Sequence, residues 1–480
     1  MIGKRILLAA IAGLVLLAAV VAAMRWRDDG ARPGLYTPRK LDAEEYSKRL
    51  PLPAPGTIPQ AEPDAPTIVL AVLDTVRADR TSVCGHTRET TPFLSEMVER
   101  GASLACRAYV PGDWSWPSHS SFFTGLTVDQ HGASYAPAEA GGQRIGKTSV
   151  RPLTGGTTLA EFFAARGYQT VLVSENGLLA TGGLERGFEI VRTRPEELER
   201  PVFWAPAVLR HLLAEEIDPQ RPLFLVLNFL DAHAPWIPVG AEAPFAAEVD
   251  DPLSSSEFLR EVWPVIRGRA EPEVERRLRR HWELLYDHGV WREDLALQRS
   301  FGLLEEAGWL DEGFRVAVVS DHGEYLAEHG MWGHRFVYES NVRVPLVLWG
   351  DPPAPPLQEP ISAIALHGWL RDGAVAADLP PPHVISLPNP DRTKLAPAHR
   401  APAAALWAGE EKLAWIGGEY RLYRPLSDPG DLEPLPLPPD HPHRAEIEAL
   451  AAAAQAVAER PAEALAPEVE DRLRALGYLD

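Results

Sequence analysis

Thr67-Ile68-Val69-Leu70-Ala71-Val72-Leu73-Asp74 is an apolar run that ends on a carboxylate. A continuous run without polar alternation fits a strand buried on both faces, as in a parallel sheet covered by helices. The same arrangement returns along the chain. QTVLV is followed by Ser174, Glu175 and Asn176, LFLVLNFL by Asp231 and His233, and RVAVV by Asp321 and His322. In a parallel α/β sheet the carboxyl ends of the strands form one rim where ligands bind, so polar residues remote in sequence converge there. A single strand-terminal Asp is often only a turn residue or a helix cap. Its recurrence after several strands points to a metal-dependent site.

Hard divalent cations take carboxylate oxygen, and imidazole in the donor set shifts the preference toward zinc or manganese. Asp74, Asp321 and His322 are therefore the expected ligands of one divalent metal ion, with zinc or manganese favoured and calcium as the alternative. Asp79 and Asp113 lie in nearby loops and read as caps.

The second informative stretch is Trp114-Ser115-Trp116-Pro117-Ser118-His119-Ser120-Ser121-Phe122-Phe123-Thr124-Gly125. Pro117 fits the first turn of a helix and puts Ser115 at or just before its N-terminus, where free N–H groups and the helix dipole stabilise an anion. By itself the segment reads first as an ordinary serine N-cap. A metal nearby makes Ser115 a candidate nucleophile, because a cation lowers the pKa of a hydroxyl and polarises the ester it attacks.

With these residues in view, the chain resembles the sulfatases of the alkaline phosphatase superfamily. The resemblance runs from about Thr67 to about Leu435, through LDTVRAD (Leu73 to Asp79), TTPFL (Thr90 to Leu94), WPSHSSFFTG (Trp116 to Gly125) and HG (His131, Gly132). It continues through TLAEFFAARGYQT (Thr158 to Thr170), DAHAPW (Asp231 to Trp236), SDHGEYLAEHGMWGH (Ser320 to His334) and RVPLVLWG (Arg343 to Gly350). It implies an α/β fold, an alkaline-phosphatase-like sandwich with a central mostly parallel sheet flanked by helices, plus a small C-terminal antiparallel-sheet subdomain.

The departures bear on the chemistry. Sulfate-cleaving members carry C-x-P-S-R or S-x-P-x-R, whose first residue becomes formylglycine, and here the frame reads Ser115-Trp116-Pro117-Ser118-His119. Asp74-Thr75 replaces a paired Asp-Asp, His334 stands for a Lys, and Ser174-Glu175-Asn176 replaces a Lys-Trp-His motif. The resemblance implies that Asp74, Asp321 and His322 hold the metal, that Ser115 attacks sulfur or phosphorus, and that His233 and His334 stabilise developing charge or protonate the leaving oxygen. A second metal is not expected, since Pro235 ends the D-x-x-x-H spacing after Asp231. His119, His131 and His329 are expected in structural hydrogen bonds.

At 480 residues and net charge −20 the chain has room for a large α/β domain and an appendage, and it offers no basic face for nucleic acid. Residues 1–27 form a transmembrane anchor or signal segment. Ile6 to Met24 carries no charge, is flanked by Lys4, Arg5, Arg25 and Arg27, and as a helix spans roughly 28 Å, close to a bilayer's hydrocarbon thickness. Residues 28–66 are a Pro-rich tether, 67–350 the sulfatase-like catalytic domain, and 351–480 a C-terminal subdomain with a small sheet and a helical tail. The catalytic domain is expected outside the cytoplasm, periplasmic or extracellular, tied to the inner membrane by the N-terminal helix. Cys84 and Cys106, the two cysteines of the chain, are expected to be free thiols.

Thr157 is the expected cap of a helix ended by Gly167, Pro92 opens another, and Glu271 to about Ala307 is helical with Val274, Leu278, Trp282 and Leu285 on one face. Trp114, Trp116, Trp236, Trp332 and Phe336 either line a pocket or pack beneath the rim. The expected substrate is a small-molecule, glycan or lipid ester. Three functions stay open: an ester hydrolase of sulfate or phosphate esters, a membrane-anchored transferase of phospho-head groups, and an inactive ester-binding protein.

Overall fold

In the computed structural model the run Thr67–Leu73 is strand β1, buried along its whole length. The structure describes residues 62, 64–136, 143–145, 148–194, 203–249, 258, 260–266, 269–377, 379, 381–387 and 397–459. β1 is joined by β2 (Ser103–Tyr109), β3 (Gln169–Ser174), β4 (Ile190–Thr193), β5 (Leu223–Phe229), β6 (Phe314–Val319), β7 (Arg343–Asp351) and β8 (Ile361–Ser362). Their order in one eight-stranded sheet is β8-β2-β7-β6-β1-β5-β3-β4. β7 runs against its neighbours β2 and β6, and every other pairing is parallel. The sheet is thus mostly parallel, as the apolar runs require, and the carboxyl ends of β1, β3, β5 and β6 share one rim.

The flanking helices are α1 (Pro92–Glu99), α2 (Ser115–Thr124), α3 (Val128–His131), α4 (Leu159–Ala164), α5 (Trp204–Glu215), α6 (Pro272–Glu306) and α7 (Ala365–Asp372). α4 is capped by Thr158 rather than Thr157. The reason is spacing: Thr158 Oγ1 accepts from Glu161 N at 3.0 Å while Glu161 Oε2 accepts from Thr158 N at 2.9 Å, a capping box that needs partners three positions apart. On α6 Leu278, Trp282 and Leu285 are buried, but Val274, in the first turn, is 40% exposed. Arg276, Arg277 and Arg280 face solvent as expected. Further along, Asp287 is fully buried and binds Arg80 Nε at 2.8 Å, Arg88 Nη1 at 2.7 Å and His86 Nε2 at 3.0 Å.

Those three residues flank Cys84 in sequence, and the expectation of free thiols is wrong. Cys84 and Cys106 form a disulfide, with their Cα atoms 5.6 Å apart. Two cysteines 22 residues apart say nothing by spacing alone; what brings them together is the packing of the Ser82–Cys84 turn beside β2.

Beyond the main sheet, β9 (His383–Ser386), β10 (Ala403–Ala408), β11 (Glu411–Ile416), β12 (Glu419–Tyr423) and β13 (Leu435–Pro436) form an antiparallel sheet with its β11–β12 turn at Gly417-Gly418. Side chains alternate across it. Leu406, Leu413, Trp415 and Leu422 meet Ile447, Ala451, Ala454 and Val457 of α8 (Arg444–Glu459) in a single apolar cluster. Trp407, Lys412 and Tyr423 take the other face. The expected anchor at 1–27 and the end of the helical tail lie outside the described residues; among the described residues no helix is long and apolar enough to cross a membrane.

Candidate active site

Asp74 follows β1, and Asp321 and His322 follow β6, its parallel neighbour, so the register of the two strands sets them side by side. One ligand atom from each of the three lies within 4.8 Å of the others, and all three residues are fully buried. Thr75, held at a left-handed φ of 65°, turns its N–H onto Asp321 Oδ1 at 3.1 Å. Val76 N binds Ser320 Oγ at 2.8 Å, and Ser320 Oγ donates to the carbonyl of His322 at 2.7 Å. The two rim loops are therefore stitched together by main chain.

This donor set fits a divalent cation. Asp74 Oδ1 and Asp321 Oδ2 are buried oxygens with no hydrogen-bond partner, a costly arrangement unless a cation completes it. His322 presents the correct nitrogen: its Nδ1–H donates to Gly323 O at 2.8 Å, which leaves Nε2 unprotonated and 3.6 to 3.9 Å from Asp321 Oδ2 and Asp74 Oδ1. Burial pushes the Asp321 carboxyl up to about 7, and burial with the neighbouring Asp321 also raises that of Asp74. Burial pushes the His322 imidazole down to about 4, which keeps it neutral and ligand-ready at pH 7.

Ser115 is the first residue of α2, with Trp114 as the preceding cap and Pro117 in the first turn. Its Oγ lies 3.3 Å from His322 Nε2 and accepts from Asn176 Nδ2 at 3.3 Å. Asn176, which follows β3, donates from the same nitrogen to Asp74 Oδ2 at 3.0 Å. Asn176 therefore bridges the serine and the carboxylates, a role the sequence hides because it appears there only as a substitution in a motif. His119, one turn into α2, donates Nδ1–H to Ser115 O at 2.8 Å and stands 3.6 Å from Asp321 Oδ2.

His233 and His334 come to the same place from different loops. The His334 ring lies 4.3 Å from that of His322 and 5.3 Å from that of His233, so three imidazoles form a row beside the carboxylates. His233 Nδ1 is held by Ala234 O at 2.6 Å, and His334 Nδ1 lies 3.6 Å from Glu324 Oε2. A further cation, Arg335, stacks over the Trp114 ring at 4.0 Å, and its charge helps lower the His322 pKa. No sequence signal marks it beyond its place after His334.

The other candidates take structural roles. Asp79 is an ion-pair partner rather than a cap, with Oδ2 2.8 Å from Arg77 Nη2. Asp113 accepts from Ser386 Oγ at 2.6 Å, and Asp231 lies 3.3 Å from Arg292 Nε, apart from the Asp74 cluster. His131 bonds Ser121 Oγ at 2.9 Å, and His329 bonds Gly430 O at 2.8 Å. Trp114, Trp116, Trp236 and Phe336 are buried packing residues, while Trp332 is partly exposed.

A serine at a helix N-terminus set against an Asp-Asp-His cluster at the rim of a parallel sheet agrees with the similarities of the chain. The sulfatase family profile matches residues 66–367. This chain belongs to the sulfatase family. An arylsulfatase of Clostridium perfringens is 22% identical to it over 336 residues, which cover 60% of this chain and 69% of that protein. The phosphonate monoester hydrolase of Agrobacterium radiobacter superposes with a TM-score of 0.58 at 16% identity, over 82% of this chain and 95% of that one. A protein solved with its substrate D-glucosamine-2-N,6-O-disulfate superposes with a TM-score of 0.56 at 16% identity, over 84% and 100% of the two chains. At such identities the superpositions establish the alkaline-phosphatase-like fold. As a sulfatase-family member the protein is an ester hydrolase.

Proposed function

We propose that this sulfatase-family hydrolase uses unmodified Ser115 as its nucleophile and acts on esters of phosphorus acids. The observation that carries the reading is the place of Ser115 Oγ, at a helix N-terminus 3.3 Å from His322 Nε2 and bonded by Asn176. A serine hydroxyl attacks phosphorus directly, whereas the sulfate route of the family starts from formylglycine, and the cysteine and arginine of that motif are replaced here by Ser115 and His119.

Asp74, Asp321 and His322 would hold one divalent ion, zinc or manganese before calcium because of the imidazole. Bound there, it would supply Lewis-acid polarisation of the ester oxygen and favour the serine alkoxide. Ser115 Oγ releases its proton to solvent and forms a bond to phosphorus as the bond to the leaving oxygen breaks. One imidazole of the pair His233 and His334 protonates the leaving oxygen while the other stabilises its developing charge, and Arg335 balances the charge of the transferred group. Water then attacks the serine ester and restores the hydroxyl.

The relatives bound to sulfated sugar or named for phosphonate monoesters support small anionic esters as the substrate class. The transferase reading calls for a deep apolar acceptor groove. One open cleft among the described residues, of 490 Å³, is lined by Glu248, Glu273, Arg276, Arg277, Arg280, His281 and Leu284, none of them a site residue. We also read residues 6–24 as an export anchor, which the Cys84–Cys106 disulfide supports, since such bonds persist in oxidising compartments.

Turnover of p-nitrophenyl phosphate, p-nitrophenyl phenylphosphonate and p-nitrophenyl sulfate by the purified protein tests the reading. Faster cleavage of either phosphorus ester supports it, and cleavage of the sulfate alone rejects it.

A further inference from the structure

His334 and Arg335 stand on a segment with an unusual backbone. Ala327, His329 and Arg335 are non-glycine residues at φ of 77°, 54° and 86°, and Gly330 and Gly333 among them are also left-handed. Such conformations persist only where the surroundings over-determine them. The catalytic domain holds part of the segment through Arg77, Arg279 and Asn341, and the small antiparallel sheet with its following loop, at the other end of the sequence, holds the rest.

The grip is polar and buried. Lys412 of β11 projects from the face opposite the α8 cluster and donates Nζ to Val337 O at 2.7 Å. It pairs with Asp431 and lies 3.5 Å from Glu339 Oε1. Asp431 accepts from Glu339 N at 2.9 Å, and the Glu339 carboxylate also takes Trp407 Nε1 at 2.9 Å and Tyr109 OH at 3.2 Å. At the start of the segment His329 bonds Gly430 O and stacks flat on Tyr338, with centroids 3.7 Å apart. Lys412, Glu339 and Asp431 are all almost fully buried. An ion-paired lysine at the centre of an apolar sheet face costs desolvation that a hydrophobic residue would not. Its attachments at Val337 and Glu339 point to what it is kept for.

We infer that Lys412, through Asp431 and Glu339, is a positioning residue for the segment that carries His334 and Arg335, so that the small sheet seats the leaving-group side of the active site. The inference rests on the proposed role of His334. Lys412 touches no reacting atom; it acts on the site by fixing the main chain at Val337 and Glu339.

The test compares Lys412→Met and Asp431→Asn with Ile447→Ala, which opens the apolar cluster on the opposite face of the same sheet. Thermal unfolding first shows which variants are folded, and those that are folded are carried forward. Diethylpyrocarbonate labelling of the His334 peptide, read by mass spectrometry, reports the seating of the segment without any need for turnover. The expected result is labelling at least about tenfold faster in Lys412→Met or Asp431→Asn, as loss of a buried ion pair implies, with Ile447→Ala at the wild-type rate. Where wild type turns over a p-nitrophenyl ester, the same two variants should lose about a hundredfold in kcat with KM little changed, the pattern of a misplaced transition-state contact. Labelling in the Lys412 and Asp431 variants that equals wild type, or equals Ile447→Ala, overturns the inference. Absence of wild-type turnover on all three esters would reject the hydrolase reading alone, and the labelling would still decide the positioning.

Discussion

Ser115 Oγ stands 3.3 Å from His322 Nε2, although 207 residues separate the two in sequence. One lies at a helix N-terminus and the other past the end of a central strand, so the contact exists only in the folded sheet. Asn176 closes the triangle by reaching both Ser115 and Asp74 from one nitrogen.

That bridge predicts a kinetic cost. Asn176→Ala should lower kcat by about 10- to 100-fold, the range for partners that orient ligands and nucleophiles, with KM little changed. Steady-state kinetics on a p-nitrophenyl phosphorus ester checks it, and a kcat equal to wild type would remove Asn176 from the site.

The orphaned oxygens of Asp74 and Asp321 predict a bound cation. Protein purified without chelator should contain about one divalent ion per chain, zinc or manganese before calcium. Elemental analysis of Asp321→Ala should show that ion largely lost. Unchanged occupancy in that variant would displace the ion to other residues.

The Cys84–Cys106 bond closes a loop of 22 residues that also carries His86 and Arg88 onto Asp287. Chain-entropy arithmetic gives a loop of that size about 3 kcal/mol of stability. The double variant Cys84→Ser/Cys106→Ser should lose an amount of this order in urea unfolding, and wild type should lose the same on reduction. Equal midpoints with and without reductant would contradict the pairing.

Asp294 of α6 predicts a pH dependence. Its carboxyl accepts from Phe93 N at 2.8 Å and Leu94 N at 3.0 Å at the start of α1, yet burial outweighs these bonds and pushes its pKa up to about 7. The folded state thus holds a proton that the unfolded chain, with an aspartate pKa of about 3.9, releases earlier. Its stability contribution is complete below about pH 4 and is lost as pH rises through 7, with a slope of at most about 1.4 kcal/mol per pH unit. The unfolding free energy of wild type minus that of Asp294→Asn should therefore fall between pH 4 and 8. A difference that is flat or rises across that interval would mean the carboxylate is ionised in the fold.

Much of this architecture was legible in the residues. Unalternated apolar runs followed by Asp74, His233 and Asp321 announce parallel strands and their functional rim, because strand burial and strand polarity are both local properties of sequence. Pro117 places Ser115 at a helix start for an equally local reason. Asn176 and Arg335 were not legible as site residues, since nothing in their own neighbourhood distinguishes a bridging amide or a stacked guanidinium from a loop residue. The Cys84–Cys106 pair was misread because its geometry depends on how a turn packs on β2. Lys412 carried a faint signal, a charge at the head of KLAWI, but its partners Glu339 and Asp431 come from elsewhere in the chain.

The central claim is that Ser115 attacks as an unmodified hydroxyl. Mass spectrometry of the Ser115 peptide, from protein at rest and from protein quenched during turnover of a phosphorus ester, tests it most directly. The account predicts plain serine at rest, a phosphoryl adduct on Ser115 during turnover, and neither adduct nor activity in Ser115→Ala, which should fall by about a hundredfold or more. Formylglycine at position 115 together with release of sulfate, or full activity in Ser115→Ala, would contradict it.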